Sequence, residues 1–221
     1  MSWDKTWEDI FKSQAWGKYP GEDIVRFVAR NYYKCEDRCA VKLLEIGCGP
    51  GANIWFMARE GFNVTGIDGS KTAIAQAKAR LDHEVPDWQG HLDIGDMTKL
   101  PYSDKQFDCV LDIEASSTNS FENTQKIYQE AARVLKPNGL LYIRTFATGT
   151  WGDKTGEQLA HNTYIPQDGP MAAKGLTRFT DEEDIVKLLP TDMKLRNVDL
   201  LQWGRGVEII KEWMIIAQKE A

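Results

Sequence analysis

Gly47, Gly49 and Gly51 stand at alternate positions between an apolar run, Val41 to Ile46, and a segment of helical character, Ala52 to Glu60. Lacking a Cβ, glycines there let the chain turn sharply and let a ligand lie against bare peptide, and the first N–H groups of the following helix point at that ligand. The stretch reads as a nucleotide cradle. A second run, Asn63 to Asp68, delivers Asp68 about twenty residues past the first glycine, where a dinucleotide fold places the carboxylate that accepts from ribose hydroxyls. Farther on, Asp112 and Glu114 follow a fourth apolar run, and His161 lies in a long polar segment. These three are the candidate bases. His161 has the ordinary pKa nearest neutrality, whereas Glu114 has the better expected location. His83 and His91 are expected to be structural.

Positioning these groups takes an alternation of strands and helices. Strands are expected at Val41 to Ile46, Asn63 to Asp68, Gln89 to Ile94, Phe107 to Leu111 and Leu140 to Phe146, each a short apolar run without helical spacing. Between them, Ser70 is placed to cap a helix running to about Leu81, and Ile127, Ala131, Val134 and Leu135 give the segment from Phe121 a helical apolar face. Lys136-Pro137-Asn138-Gly139 ends that helix, with Gly139 available for a left-handed turn. Thr180-Asp181-Glu182-Glu183 resembles a capping box, and two closing strands flank Gly204-Arg205-Gly206. The alternation argues an α/β fold with a mainly parallel sheet. Ligands of such sheets bind beyond the carboxyl ends of the strands, so the run after the fourth strand, from Asp112 and Ile113 onward, should face the reacting groups.

The 221 residues suit one α/β domain, 1–221, and the net charge of −6 argues against a nucleic acid as partner, since phosphate binding needs a concentrated basic face. A small molecule fits better. The N-terminus begins with polar and acidic residues and has no apolar core, so no membrane span and a cytoplasmic location are expected, as monomer or homodimer. Cys35, Cys39, Cys48 and Cys109 form no zinc or disulfide pattern, and no metal site is expected.

The order Glu45-x-Gly47-x-Gly49-x-Gly51, then Asp68, then Gly95-Asp96-Met97, then Phe107 to Asp112, then Leu135 to Gly139, resembles a class I S-adenosylmethionine-dependent methyltransferase. The motifs cover roughly residues 40 to 147. A nicotinamide-binding protein more typically shows G-x-G-x-x-G, and here the third glycine comes one residue early. The resemblance implies a three-layer Rossmann-like fold, a seven-stranded mostly parallel sheet with an antiparallel last strand, with S-adenosylmethionine as cofactor and S-adenosylhomocysteine as product. It further implies that Gly47, Gly49 and Gly51 admit the methionyl and ribose portions, that Glu45 organises the loop near the cofactor amine, and that Asp68, with Gly69 and Ser70, takes the ribose. Asp96 and Met97 are expected at the adenine, and Asp112 and Ile113 beside the cofactor. One departure from the family matters: branches that methylate nucleobase amino groups carry Asn or Asp before Pro-Pro and an aromatic, and this chain has Asp112-Ile113-Glu114-Ala115.

Two further segments are assigned by position. Residues 1–36 hold an aromatic stripe, Trp3, Trp7 and Phe11, and the turn Trp16-Gly17-Lys18-Tyr19-Pro20-Gly21, and family members often cover the cofactor with such a helical lid. Trp16 and Tyr19 are therefore expected as lid contacts, with ring faces suited to a sulfonium cation. Residues 147–178 are polar, glycine-rich and without period, and a connection of that length is usually functional, so they are expected to be a substrate-recognition insert with Trp151, Tyr164, Lys174 and Arg178 as contacts. Lys174 and Arg178 suit an anionic group. The expected acceptor is a polar small molecule such as a sugar or nucleotide-sugar. The alternatives are a NAD-dependent oxidoreductase and a catalytically silent nucleotide-binding module.

Overall fold

The computed structural model describes residues 3–221, so the first two residues of the expected lid lie outside the described residues. In chain order the elements are α1 (Thr6–Ser13), α2 (Glu22–Tyr32), β1 (Lys42–Ile46), α3 (Ala52–Arg59), β2 (Asn63–Asp68), α4 (Lys71–Glu84), β3 (Gln89–Ile94) and β4 (Phe107–Ile113). There follow α5 (Phe121–Val134), β5 (Leu135–Phe146), β6 (Glu157–Ala160), β7 (Thr163–Ile165), β8 (Thr177–Arg178), α6 (Glu182–Leu188), β9 (Met193–Trp203) and β10 (Ile210–Lys219).

Seven strands form one sheet in the order β3-β2-β1-β4-β5-β10-β9, with β10 antiparallel to both its neighbours. This is the expected Rossmann-like arrangement with its reversed last strand. The order reverses between β1 and β4, which opens a crevice at the C-terminal ends of those strands. Alternation along each strand feeds two cores. Leu43, Val64, Cys109 and Leu111 pack against α2, α3 and α4, whereas Leu44, Ile46, Val110 and Leu141 pack against α5 and α6. Full burial of Leu43, Leu44 and Ile46 contributes roughly 1.5–3 kcal/mol each and pins the strand whose last residues lead into the glycine turn.

Local chemistry differs from expectation at three connections. The left-handed residue after α5 is Asn138, at φ +65°, while Gly139 is required for space, since a Cβ there would stand 2.9 Å from the Lys136 carbonyl oxygen. The cap of α6 is Asp181, which accepts from the Asp184 N–H at 2.9 Å, in place of Thr180. The 147–178 segment is not irregular throughout: β6, β7 and β8 form a separate three-stranded antiparallel sheet. Its hairpin turns at Asn162, φ +50°, and Tyr164, Met171, Phe146 and Phe179 give it a small core against which Trp7 packs.

Candidate functional site

A cavity of about 400 Å³ opens at the C-terminal ends of β1, β2 and β4, within the size range of small-molecule sites. Its floor is the glycine turn. Gly47 and Gly49 line it in left-handed conformations, φ +63° and +51°, and a Cβ on Gly47 would meet the Ala115 Cβ at 2.2 Å. Gly51 does not line the cavity. It caps α3 at φ +81° and backs onto Ala77, so it shapes the cradle from behind.

Two carboxylates face this floor. Asp68 accepts from the Gly49 N–H at 2.9 Å and the Ser70 N–H at 2.8 Å, one on each oxygen, which leaves each oxygen a further acceptor site for the cavity. Glu45, 3% exposed, accepts from Asn53 Nδ2 at 2.6 Å through Oε1, and its Oε2 has no hydrogen-bond partner among the described residues. Burial pushes the Glu45 carboxyl up to about 8, against the lowering effect of Asn53. An orphaned carboxylate oxygen beside bare glycine backbone suits a cationic amine, and the remaining acceptor capacity of Asp68 suits a diol. The residues present therefore fit a cofactor with an ammonium and a ribose.

Gly69, Met97 and Ile113 also line the cavity, as expected, and the Trp3 ring lies so close over Gly69 that no Cβ is possible there. Asp96 does not line it. Its Oδ1 accepts from the Thr98 N–H at 2.9 Å and the Thr98 hydroxyl at 2.7 Å, closing its own turn, and Gly95 and Met97 present the wall instead. Ser70 is likewise turned away. It caps α4 by accepting from the Ala73 N–H at 3.1 Å and donates its hydroxyl to Glu8 Oε2 at 2.5 Å.

Glu8 has no signal in the sequence beyond an ordinary helix-face acid, yet it clasps α1 to α4. It also accepts from the Thr72 hydroxyl at 2.6 Å, and the hydrogen bonds from Ser70 and then Thr72 lower its carboxyl to about 2. Above it, Trp7, Phe11 and Trp16 meet edge-on or tilted at 5.3–5.8 Å and wall the cavity with Tyr19, which is 72% exposed. Glu8→Ala is expected to loosen α1 and raise the rate of limited tryptic cleavage after Lys12 by up to about fivefold, since a partly exposed carboxylate clasp stabilises by about 1 kcal/mol or less.

The candidate bases separate. Glu114, held at φ +62° just past β4, faces the cavity together with Lys174 and Arg144. Asp112 does not. Its side chain emerges on the α5 face, fully buried, accepting from the Ser116 N–H and the Tyr128 hydroxyl, each at 3.0 Å. Tyr128→Phe is expected to cost about 1–3 kcal/mol of stability in chemical denaturation and to leave cofactor affinity unchanged, because the lost hydrogen bonds, to Asp112 and to the Ser116 hydroxyl at 2.8 Å, lie in the buried α5 face and none reaches the cavity. His161 is exposed at the β6–β7 turn, 3.5 Å from Asp181 Oδ2 and away from the cavity.

Of the expected insert contacts, Lys174 alone lines the cavity, its Nζ 5.3 Å from the centroid of the Trp16 ring. Trp151 joins the β10 side through its backbone N–H to the Ile209 carbonyl, and Tyr164 is buried against Phe179. Arg178 is buried and donates to Thr180 Oγ1 at 2.7 Å, on the α5 side of the sheet near Asp112 and Tyr128. Pro170 and Met171, neither expected from the sequence, line the cavity beside Lys174.

Residues 38–194 match a family model described as a methyltransferase domain. Methyltransferase GfsG of Streptomyces halstedii is 31% identical over 119 residues, 53% of this chain and 42% of that protein. Several curated relatives are matched over only about 40% of their length. A ubiquinone biosynthesis O-methyltransferase of Bartonella bacilliformis is 25% identical over 91% of this chain and 82% of that one. Among solved structures, a SAM-dependent methyltransferase of Methanosarcina mazei superposes with a TM-score of 0.74 at 22% identity, covering 91% of this chain and 99% of that one.

Proposed function

Since this chain belongs to the class I S-adenosylmethionine-dependent methyltransferases, we propose that it methylates a hydroxyl of a polar small molecule, with Glu114 taking the acceptor's proton. The observation that carries this reading is that the Asp68 and Glu45 carboxylates at the glycine floor line one cavity together with Glu114 and Lys174. S-adenosylmethionine, when bound, supplies a methyl group on a cationic sulfur and leaves as S-adenosylhomocysteine.

The chain's own residues have four tasks. Asp68 would accept from the ribose hydroxyls and Glu45 would pair with the cofactor ammonium, while Gly47 and Gly49 admit the ligand against their peptides. Met97 and Gly95 would pack on the base. The rings of Trp7, Phe11, Trp16 and Tyr19 would exclude water and present aromatic faces to a cation. The insert would hold the acceptor through Lys174, Pro170 and Met171, aligned for attack at about 3 Å. The acceptor oxygen would lose its proton to Glu114, the one candidate base on the cavity wall.

Methyl transfer to a hydroxyl gains support from the match, over 91% of this chain and 82% of the other, to a ubiquinone biosynthesis O-methyltransferase. A sugar fits the cavity better than a nucleotide-sugar, because Arg178 lies across the sheet and Arg144 is engaged by carboxylates, which leaves Lys174 to meet an anion. We further propose that the chain acts as one domain, with residues 1–36 as lid and 147–178 as the acceptor-binding insert.

Calorimetric titration with S-adenosylmethionine, S-adenosylhomocysteine and NAD, followed by a radiolabelled methyl-transfer screen of hydroxyl-bearing metabolites above neutral pH, tests the reading. Micromolar binding of both sulfur compounds and labelled methyl ether product, lost in Glu114→Gln, are expected. Tight cofactor binding with no transfer to any acceptor class would instead favour a silent binding module.

A further inference from the structure

The acceptor end of the cavity is backed by a cluster in which three carboxyl groups crowd one guanidinium. Arg144 on β5 donates from Nε at 2.9 Å and from Nη2 at 2.6 Å to Oε2 of Glu212 on β10, and its Nη1 reaches Asp23 Oδ1 on α2 at 3.2 Å. Glu114 Oε1 lies 3.6 Å from the same Nη2. The Tyr142 hydroxyl donates to the other oxygen of Asp23 at 2.7 Å, and the Trp203 ring lies 5.5 Å from the guanidinium carbon. Lys174, from the insert, completes the charged surroundings of Glu114.

Glu212 is 1% exposed, and its Oε1 has no hydrogen-bond partner among the described residues. A buried carboxylate oxygen with no donor is costly, and three ionised carboxylates against Arg144 and the nearby Lys174 leave one uncompensated negative charge. One proton resolves both problems. Glu114 Oε1 and Glu212 Oε2 share the Arg144 Nη2, at 3.6 and 2.6 Å, which brings the two carboxyl groups together and makes Glu114 the neighbour whose proton would offset the donor that Oε1 lacks.

Resting on the reading of Glu114 as the group that meets the acceptor, we propose that Glu114 and Glu212 hold one proton between them on the Arg144 guanidinium, with Glu212 and Arg144 as positioning residues. Burial first, and then the neighbouring Glu212 carboxyl, push Glu114 up to about 8, against the lowering pull of Arg144. The proton belongs to the pair, and it must leave before Glu114 accepts another. In the transfer the acceptor O–H bond breaks, its proton goes to Glu114, and the oxygen's electron pair forms the bond to the methyl carbon as the carbon–sulfur bond opens and its pair stays on sulfur. Methyl transfer is thereby gated by pH, silent while the pair is protonated and rising as the proton is lost.

The pair is testable without cofactor or acceptor. Cofactor-free protein carrying ¹³C-carboxyl glutamate is titrated by NMR, with Glu114→Gln and Glu212→Gln assigning the two resonances. In the native chain the Glu114 resonance should titrate with a midpoint near 8, and the Glu212 resonance should respond in the same titration. In Glu212→Gln the Glu114 midpoint should fall by at least about one unit, because a like charge is replaced by an amide that donates to the carboxylate. A Glu114 midpoint in the ordinary 4–5 range, or a Glu212 resonance that stays still while Glu114 titrates, overturns the proposal, and the native titration decides it even where Glu212→Gln does not fold. Failure of S-adenosylmethionine to bind would sink the functional reading and leave this titration unaffected.

Discussion

Asp68→Ala is expected to weaken binding of S-adenosylmethionine and S-adenosylhomocysteine alike by on the order of a hundredfold or more, measured by calorimetric titration. Both ligands carry the ribose, so both should lose the same increment. The estimate follows from the acceptor count. Each Asp68 oxygen already takes one backbone N–H, from Gly49 or Ser70, and each keeps room for one hydroxyl. Hydrogen bonds to a charged acceptor contribute about 1.5–3 kcal/mol each, and two of them exceed the 2.7 kcal/mol or so that a hundredfold requires. The same substitution strips a partner from the Gly49 and Ser70 N–H groups, so thermal unfolding is to be followed in parallel. Asp68→Asn, which retains one carbonyl acceptor, should fall between the native chain and the alanine variant. Equal affinity in all three proteins would remove Asp68 from the ribose site.

Why the floor of the site is legible in the sequence and its acceptor end is not can be seen residue by residue. Gly47, Gly49 and Asp68 sit where local constraints act: a short buried run leads directly into the glycines or ends in the carboxylate, and left-handed or crowded backbone demands glycine. The seven-stranded sheet with its antiparallel last strand comes from the family resemblance of the ordered motifs, and β3-β2-β1-β4-β5-β10-β9 bears it out. Beyond β4 the local logic fails. Strict alternation would set Asp112 and Glu114 on one face, but a left-handed glutamate just past Ile113 breaks the pleat, sending Asp112 to α5 and Glu114 to the cavity. Nothing in residue types announces a left-handed glutamate. Arg178 and Tyr164 look like contacts of an irregular insert, yet small strands turn both inward, because pairing with a strand about fifteen residues away has no local signature. Arg144 and Glu212 meet as a diagonal pair, Glu212 opposing Phe146 and Arg144 opposing Met214, and that register is set across about seventy residues of intervening chain. Glu8 reads as a solvated helix acid because its partners, Ser70 and Thr72, belong to a different helix.

Glu45 should make cofactor-free protein lose stability as pH rises. Its carboxyl is raised from 4.5 to about 8 in the folded chain by burial, so between those values the folded state binds more protons than the unfolded state. Stability contributed in this way is complete below pH 4.5, falls as pH climbs, and is lost once pH passes about 8. A shift of this size corresponds to a few kcal/mol at most. Glu114 is raised in the same direction and adds to the slope. Thermal unfolding of the native chain should therefore show a midpoint that declines from pH 5 to pH 8, and Glu45→Gln should flatten the decline in part. The glutamine keeps the Asn53 hydrogen bond through its carbonyl oxygen and needs no proton. It cannot, however, meet an ammonium with a charge, so affinity for S-adenosylmethionine should drop roughly ten- to a hundredfold, the worth of one charge-assisted hydrogen bond. Pairing with that ammonium also pulls the proton off Glu45. Cofactor binding near pH 7 should then release protons, seen as a dependence of the binding enthalpy on the ionisation enthalpy of the buffer, and Glu45→Gln should diminish that release. A midpoint that rises from pH 5 to pH 8 in the native chain, with undiminished proton release in the variant, would mean that Glu45 is charged before the cofactor arrives, and its orphaned oxygen would need a different partner.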